Sequence, residues 1–357
     1  MKLLFITQKV DKNDDLLGVY HEWIKRLTLK FEFIHVICLY KGEYNLPINV
    51  EVHSLGKEEF PDYKKPNKLG YILKFYRHIW LLRNDYDRVF VHMNPEYVIL
   101  AGPLWKFWGK KVVLWYAHFL DSLKLRIAVF FTDKVVTSVK EAFPFNMKKL
   151  VVLQQGIDID KFNPIAGKLK DEDNKFKILY LGRISPVKNL NVLIEALGIL
   201  KNGDYNFHLN IVGGPTEKDM NYFNQVKEKI RILGLEDDVL FLGKIPNSQT
   251  PAIYNDNDIF VNLTKTGSFD KTTLEAMACG LLVLVSSEAF SGIFDAHLRD
   301  LLMFKERNAI ELAAKIEKLI KFSLEEKNVI KKKMRDIIVQ NHGLDKLIDK
   351  LAYVLEE

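Results

Sequence analysis

Residues 264–280 read Thr-Lys-Thr-Gly-Ser-Phe-Asp-Lys-Thr-Thr-Leu-Glu-Ala-Met-Ala-Cys-Gly, a loop of small residues that leads directly into a helical pattern. The loop amides and the positive end of the helix dipole suit phosphate oxygens. Glu275, within the helix, can accept hydrogen bonds from two ribose hydroxyls. The stretch therefore predicts a nucleotide pocket. The alternative is a loop capped by Asp270 before an ordinary amphipathic helix.

A second element lies upstream, where residues 181–190 read Leu-Gly-Arg-Ile-Ser-Pro-Val-Lys-Asn-Leu after a short apolar run. Ser185 and Pro186 suit the N-cap and first position of another helix. Arg183 and Lys188 then flank a strand-to-helix turn at the carboxyl end of a strand, where doubly wound sheets bind ligands. Two cations at this position can hold a diphosphate.

Together the two elements resemble the family four retaining glycosyltransferases of GT-B fold. The C-terminal halves of that family carry a Gly-Arg-x-x-x-x-Lys turn and a loop ending in Leu-Glu-Ala-Met-Ala-x-Gly. The resemblance extends to Gln-Gly-Ile-Asp at 155–158, Ile-Val-Gly-Gly at 211–214 and Val-Leu-Phe-Leu-Gly at 239–243. It implies an α/β protein of GT-B architecture, with two Rossmann-like doubly wound domains facing a cleft. It also implies transfer of a sugar from a nucleoside diphosphate sugar, with UDP favoured over GDP, to a hydroxyl acceptor with retention of anomeric configuration.

The cations of the first turn would stabilise the departing diphosphate, and the amides of the second loop would add to this. His118 follows an apolar run, and family members often place a histidine there, near the sugar. The predicted catalytic residues are Arg183, Lys188 and His118; the predicted donor-binding residues are Gly18, Gly182, Gly267, Ser268, Phe269, Asp270, Lys271 and Glu275. No metal or other cofactor is expected, since the Asp-x-Asp sequences at 158–160 and 256–258 are interpreted as turns.

Two positions depart from the family pattern. Gly267 stands where the family commonly places a first glutamate, eight positions before Glu275. Asp270 stands where a glycine is expected after Phe269, and it can either cap its own helix through the amides of Thr272 or Thr273 or contact sugar hydroxyls. No family rule for the identity of the transferred sugar can be carried over.

The 357 residues exceed what one hydrophobic core usually supports, and 48% of them are apolar. We expect an acceptor domain at 1–165, onto which the helix at 342–357 packs back, and a donor domain at 166–341. The predicted strands of the first half are 2–7, 33–40, 50–55, 88–92, 111–116, 134–138 and 150–153. Those of the second begin near 176, 207, 239, 258, 281 and 301.

A formal charge of +6 is too small to indicate nucleic-acid binding. Cys38 and Cys279 have no metal-ligand spacing and are interpreted as buried free thiols. No apolar stretch is long enough for a signal peptide or a membrane span. These features predict a cytoplasmic protein.

The predicted acceptor is a glycan or a lipid-linked molecule, such as a cell-envelope polysaccharide or glycolipid. Residues 63–83 join lysines to an aromatic helix, as in a helix that associates peripherally with the inner face of a membrane. The same residues fit an ordinary helix of the sheet, which would direct Ile72, Phe75, Tyr76 and Ile79 inward and Lys74, Arg77 and His78 outward.

Two other functions fit the sequence. A nucleotide-sugar epimerase or hydrolase of similar fold would consume the donor without an acceptor. A non-catalytic nucleotide-sugar-binding protein would explain the glycine at position 267.

Overall fold

The computed structural model describes residues 1–14, 17–59, 68–118, 120–165, 175–265 and 268–357. The chain forms two compact units, one of Met1–Gly156 with Leu344–Glu357 and the other of Ile157–Gly343. The division falls at Gly156 rather than near 165 because the following residues bond within the second unit. The Ile157 amide donates to the His342 carbonyl oxygen (2.7 Å), and Asn255 Nδ2 donates to the Asn163 carbonyl oxygen (3.0 Å).

The first unit contains a seven-stranded parallel sheet in the order β3-β2-β1-β4-β5-β6-β7. Most of its strands are short apolar runs covered on both faces, as parallel strands require. Its strands are β1 (Lys2–Val10), β2 (Phe33–Lys41), β3 (Val50–Ser54), β4 (Arg88–His92), β5 (Lys111–Trp115), β6 (Lys134–Thr137) and β7 (Leu150–Val152); its first four helices are α1 (Val19–Leu27), α2 (Lys68–Leu81), α3 (Pro95–Phe107) and α4 (Leu123–Phe130).

The second unit contains a five-stranded parallel sheet in the order β10-β9-β8-β11-β12. Its strands are β8 (Phe176–Leu181), β9 (Phe207–Val212), β10 (Val239–Gly243), β11 (Ile259–Asn262) and β12 (Leu282–Val285). Its helices are α5 (Leu190–Asn202), α6 (Met220–Ile232), α7 (Thr250–Asn255), α8 (Lys271–Ala278), α9 (Ala296–Leu302), α10 (Ala309–Lys321) and α11 (Leu324–Asn341).

The last helix, α12 (Leu344–Glu356), returns to the first unit. Leu347 and Leu351 of α12 pack with Trp23 and Leu27 of α1 in the core on one face of the first sheet. On the other face, Phe75 of α2 belongs to a second core that also includes side chains of α3 and α4. Both faces of the sheet are therefore covered by helices.

The apolar runs predicted as strands form strands, with one exception. The strand predicted near Leu301 is wrong, because this residue lies in α9, which begins with the Asp295 side chain accepting the Leu298 amide (2.8 Å). Met303, directly after the helix, forms a single bridge to Val285 at the edge of the sheet. A short apolar run does not by itself distinguish a buried helix from a strand.

Cys38 and Cys279 are buried and unpaired, as predicted, and burial raises the pKa of each thiol to about 12. Within the described part of the chain, none of the helices combines the length and the apolarity needed to cross a bilayer.

Candidate donor-binding site

The candidate site lies at the carboxyl ends of β8 and β11, which are neighbours at the centre of the second sheet. The chain leaves β8 toward β9 on one side, whereas β11 lies on the other side. In open parallel sheets this point of reversal leaves a crevice in which ligands bind. The two loops singled out from the sequence both begin here, one after Leu181 and the other after Asn262.

Glycines bring the turns after β8 and β9 into contact. Gly213 has φ +123°, and a Cβ there would lie 2.0 Å from the carbonyl oxygen of Gly182. The Gly182 amide donates to the Val212 carbonyl oxygen (2.9 Å), and the Gly213 amide donates to that of Gly243 (2.7 Å). Only glycine at 213 permits this approach. A Cβ at Gly182 would meet its first neighbour, the Tyr180 hydroxyl, at 3.8 Å, so the turn keeps open space beside it.

Lys188 and Asp270 form the centre of the site. Lys188 Nζ lies 2.7 Å from Asp270 Oδ2. The Thr264 hydroxyl (2.6 Å) and Asn262 Nδ2 (3.0 Å) donate to the same carboxylate oxygen, and the Ser268 hydroxyl donates to Oδ1 (2.8 Å). The structure thus brings together three of the predicted site residues, from two different loops, around one carboxylate.

Asp270 does not cap its helix. It occupies the N-cap position of α8, but its side chain makes no capping hydrogen bond; the capping alternative is therefore wrong. Burial of this carboxyl opposes its ionisation, but the charge of Lys188 and the hydrogen bonds from Lys188, Thr264 and Asn262 outweigh it and lower the pKa of Asp270 to about 2. The site holds a carboxylate and an ammonium as a fixed pair at neutral pH.

Arg183, the other predicted cation, is placed differently. Its side chain is exposed and forms no ion pair with any residue that the structure describes, while its carbonyl oxygen accepts the Tyr180 hydroxyl (3.0 Å). Ser185 occupies the N-cap position of a short 3-10 turn over Pro186–Lys188, without a side-chain capping bond. Its hydroxyl is buried and has no hydrogen-bond partner within the described residues. The turn therefore offers a free cation and an unsatisfied hydroxyl to a ligand.

Glu275 is 4% exposed in α8. The hydroxyl of Tyr254, a fully buried residue of α7, donates to Glu275 Oε2 (2.9 Å). Burial raises the pKa of Glu275, although the Tyr254 hydrogen bond and the charges of Lys271 and Lys161 act against this. A ligand hydroxyl that donates a hydrogen bond to a buried carboxylate of this kind stabilises its negative charge.

The remaining predicted donor residues have mixed environments. Phe269 is buried, and its ring centroid lies 4.7 Å from that of Phe290, so its side chain serves packing. The Ser268 amide, predicted to face phosphate, donates to the Lys265 carbonyl oxygen (3.2 Å). Lys271 begins α8 near Glu275. Gly267 lies outside the described residues.

Two predicted residues belong to the first unit. His118 lies beyond β5 and is exposed; its Nδ1 accepts the Leu120 amide (3.1 Å), which directs the proton of the neutral ring to Nε2. Gly18 is buried at the start of α1, where a Cβ would lie 2.6 Å from the Asp14 carbonyl oxygen. The absence of a side chain at Gly18 is thus explained by packing within its own loop.

Sequence reasoning missed three residues of the site. Asn262 and Thr264 bond to Asp270, and their position directly at the end of an apolar run could have indicated them. Tyr254 bonds to Glu275 across α7 and α8. No local pattern indicates Tyr254, because its role depends on how the two helices pack.

The family described as Glycosyl transferases group 1 matches residues 162–336. Mannosylfructose-phosphate synthase of Agrobacterium fabrum is 30% identical over 165 residues, which cover 44% of this chain and 36% of that protein. Alpha-monoglucosyldiacylglycerol synthase of Streptococcus pneumoniae is 26% identical over 204 residues, 54% of this chain and 44% of the relative. The chain thus spans less than half the length of these curated relatives.

Among solved structures, Anabaena Alr3699/HepE in complex with UDP and glucose matches over 100% of both chains, with a TM-score of 0.78 and 18% sequence identity. This full-length likeness and the two parallel sheets show the GT-B fold. The family match spans Arg183, Lys188, Asp270 and Glu275, which form or border the site described above. The region 162–336, which contains the site, therefore belongs to the Glycosyl transferases group 1 family.

Proposed function

We propose that this protein is a retaining glycosyltransferase that moves a sugar from a UDP sugar to a hydroxyl acceptor without a metal ion. The observation that carries the proposal is the fixed Lys188–Asp270 pair at the carboxyl ends of β8 and β11. It provides a cation where a donor diphosphate would lie. The choice of UDP rests on Alr3699/HepE, whose structure contains UDP and glucose.

In the proposed reaction the bond between the sugar C1 and the diphosphate oxygen breaks, and the electron pair leaves with the diphosphate. Lys188 and Arg183 stabilise that charge, each charge-assisted hydrogen bond contributing about 1.5–3 kcal/mol. The acceptor oxygen bonds to C1 on the face that the diphosphate leaves, and its proton passes to a phosphate oxygen. Glu275 accepts hydrogen bonds from the ribose, and His118 contacts the sugar.

The acceptor we propose is presented at a membrane surface. The helices α2, α3 and α4 each carry an exposed aromatic residue at or next to their last position: Trp80 is 55% exposed, Phe107 85% and Phe130 69%. The guanidinium of Arg83 lies over the Trp80 ring (4.7 Å), and Lys106 Nζ lies over that of Phe130 (5.4 Å).

The outer face of α2 is also less polar than the outer face expected of a helix that only covers a sheet. Phe75 and Ile79 are buried as that interpretation expects, but Leu69 and Leu73 are exposed alongside Arg77. Apolar and aromatic side chains beside cations suit the headgroup region of an anionic bilayer. The part of the predicted membrane segment before residue 68 lies outside the described residues.

The donor proposal is tested by nucleoside diphosphate release from UDP, GDP and ADP sugars in EDTA, with and without a membrane extract as acceptor. We expect release from one UDP sugar that rises with extract and is lost in Lys188→Ala and Arg183→Ala. Lys229→Ala and Arg231→Ala, which remove ion-paired cations elsewhere in the second unit, should retain activity. Nucleoside diphosphate release at the same rate with and without the extract would indicate a hydrolase. UDP binding without release would indicate a binding protein.

The acceptor proposal is tested separately by cosedimentation with vesicles of phosphatidylglycerol and of phosphatidylcholine. We expect binding to the anionic vesicles, weakened in Trp80→Ser and Phe130→Ser. Tyr353→Ser, at an aromatic residue of α12 that is 63% exposed, is the matched control. Equal binding by all variants, or none by the wild type, would contradict a membrane-presented acceptor.

A further inference from the structure

Three metal-ligating side chains meet at one edge of the first sheet. β3 is the edge strand and pairs in parallel with β2, so that His35 of β2 stands opposite Glu51 of β3. His53 follows Glu51 by two residues on the same strand. Because side chains of a strand alternate between the two faces, Glu51 and His53 point to the same side of the sheet as His35.

The ligand atoms of the three side chains lie close together. His35 Nδ1 is 3.4 Å from His53 Nε2, and Glu51 Oε2 is 3.6 Å from His35 Nδ1 and 3.7 Å from His53 Nε2. These distances form a nearly equilateral triangle. An ion at its centre would lie about 2.1 Å from all three atoms, which matches the distances at which zinc binds imidazole nitrogen and carboxylate oxygen.

We propose that His35, Glu51 and His53 bind one divalent transition-metal ion, with Zn²⁺ the best fit. Two imidazoles and one carboxylate are a ligand set that zinc accepts, whereas calcium and magnesium prefer oxygen ligands. The side chains of His35 and His53 are 8% and 13% exposed, and that of Glu51 is 57% exposed. The ion can therefore enter from solvent past Glu51 and keep a water molecule as its fourth ligand.

The surroundings hold the two imidazoles in place. The Phe33 ring packs against His35, with the centroids 4.8 Å apart. His78 of α2 lies 5.1 Å from His53, ring centroid to ring centroid. Aromatic packing around ligating histidines limits their rotation and the entropy lost on binding.

The cluster is remote from His118, the residue of the first unit that we propose contacts the sugar. His35 lies level with Val112 at the start of β5, through the register of β1 and β4. His118 lies six residues further along the chain, roughly 20 Å at the rise of a strand. The metal would therefore be structural, and would fix the five-residue edge strand β3 to β2.

The test is titration of Zn²⁺ into the untagged full-length protein, treated with EDTA and then exchanged into buffer, followed by calorimetry and by thermal melting. We expect one equivalent of Zn²⁺ to bind and to raise the melting temperature. Titration with Co²⁺ should give the visible absorption of a four-coordinate site. Glu51→Gln and His53→Gln should each weaken binding at least about tenfold, the loss caused even by removal of an outer partner of a ligand.

The control is His297→Gln, at an exposed histidine of the second unit, which should bind zinc like the wild type. Glu51→Gln decides the test if His53→Gln fails to fold, since the Glu51 side chain is largely exposed. Absence of stoichiometric binding, or equal affinity in wild type and Glu51→Gln, would overturn the proposal. Because sugar transfer is assayed in EDTA, which removes zinc, the result of that assay does not depend on the zinc site. The zinc proposal and the transferase proposal are therefore tested independently.

Discussion

At the scale of single residues, one carboxylate holds the lysine of the turn. Asp270 stands where the resemblance predicts a glycine, and in the structure it gathers Lys188, Thr264, Asn262 and Ser268 around its carboxylate. The pair fixes the position of the Lys188 ammonium group through contacts within the protein. A positioned cation stabilises developing charge without reorganising during the reaction.

Replacement of Asp270 by Asn should therefore lower turnover more than it lowers donor affinity. It removes a charge-assisted hydrogen bond to Lys188, and at about 1.5–3 kcal/mol this corresponds to a loss of about 10- to 150-fold. The measurement is kcat and KM for nucleoside diphosphate release. Asp256→Asn, which removes an exposed carboxylate paired with Lys177, is the control. A kcat equal to the wild type would mean that Asp270 does not position Lys188.

Glu275→Gln should have opposite effects on stability and on binding. Burial raises the pKa of Glu275 in the folded protein, so the fold binds this proton more tightly than the unfolded chain does. The contribution of Glu275 to stability is thus largest at low pH and is lost as pH rises through its raised folded pKa. Glutamine keeps the Tyr254 hydrogen bond without the buried charge.

We accordingly expect Glu275→Gln to melt at a higher temperature than the wild type at pH 7 and to lose that advantage at pH 4. Its nucleotide affinity should fall, because the amide accepts ribose hydroxyls less strongly than the carboxylate. Glu236→Gln, at an exposed position of the same unit, should change neither quantity. A Glu275→Gln variant that is less stable at pH 7 and binds nucleotide normally would refute both arguments.

The sequence predicts those site residues whose role depends on the neighbouring sequence. Lys188 and Glu275 occupy fixed positions in motifs: Lys188 lies in the turn after β8, and Glu275 lies in α8, the helix that follows β11. The partner of Asp270 was not predictable, because a side chain at an N-cap usually bonds to its own helix. Asp270 instead pairs with Lys188, which lies in a loop 82 residues away in sequence.

At the scale of elements, the site depends on the close approach of the turns after β8 and β9. Gly213→Ala should disrupt it, since a Cβ would lie 2.0 Å from the Gly182 carbonyl oxygen and φ is +123°. Strain of this kind costs about 1–3 kcal/mol, and relief requires the Gly182 turn to move. Gly214→Ala is a matched control, because its Cβ would first meet Lys244 at 3.4 Å, an ordinary contact.

The expected result is that Gly213→Ala lowers both the melting temperature and the rate of nucleoside diphosphate release, while Gly214→Ala preserves both. Thermal melting and the release assay measure the two effects. Equal behaviour of the two variants would show that the turns tolerate separation.

The elements themselves were largely predictable, because parallel strands buried on both faces are apolar throughout. The run at Leu301 misled the prediction because the last two residues of α9, Leu301 and Leu302, are buried and continue into Met303 and Phe304 as one short apolar run. The turn at Ser185 was predicted as an N-cap leading into a helix, but a 3-10 turn precedes α5, which starts at Leu190. Boundaries of this kind depend on backbone hydrogen bonds that the local sequence does not determine.

At the scale of the whole molecule, the chain leaves its first unit at Gly156 and returns to it at Leu344. The returning helix α12 is amphipathic: Leu347, Ile348 and Leu351 are buried, whereas Tyr353 is exposed. Arg26 and Lys30 form ion pairs with Asp345 and Asp349 of this helix. Exposed ion pairs contribute little to stability, so the packing of α12 on the first unit is stabilised mainly by its apolar face.

Leu351→Ala should therefore destabilise a unit whose main part, Met1–Gly156, lies more than 190 positions earlier in the chain. Loss of a fully buried leucine costs about 2–5 kcal/mol, whereas Tyr353→Ala, at a side chain that is 63% exposed, should change the free energy of unfolding by no more than about 0.5 kcal/mol. All five tryptophans of the chain lie between residues 23 and 115, so tryptophan fluorescence during urea unfolding reports on the first unit specifically. A shared unfolding midpoint for Leu351→Ala and wild type would mean that α12 is dispensable to that unit.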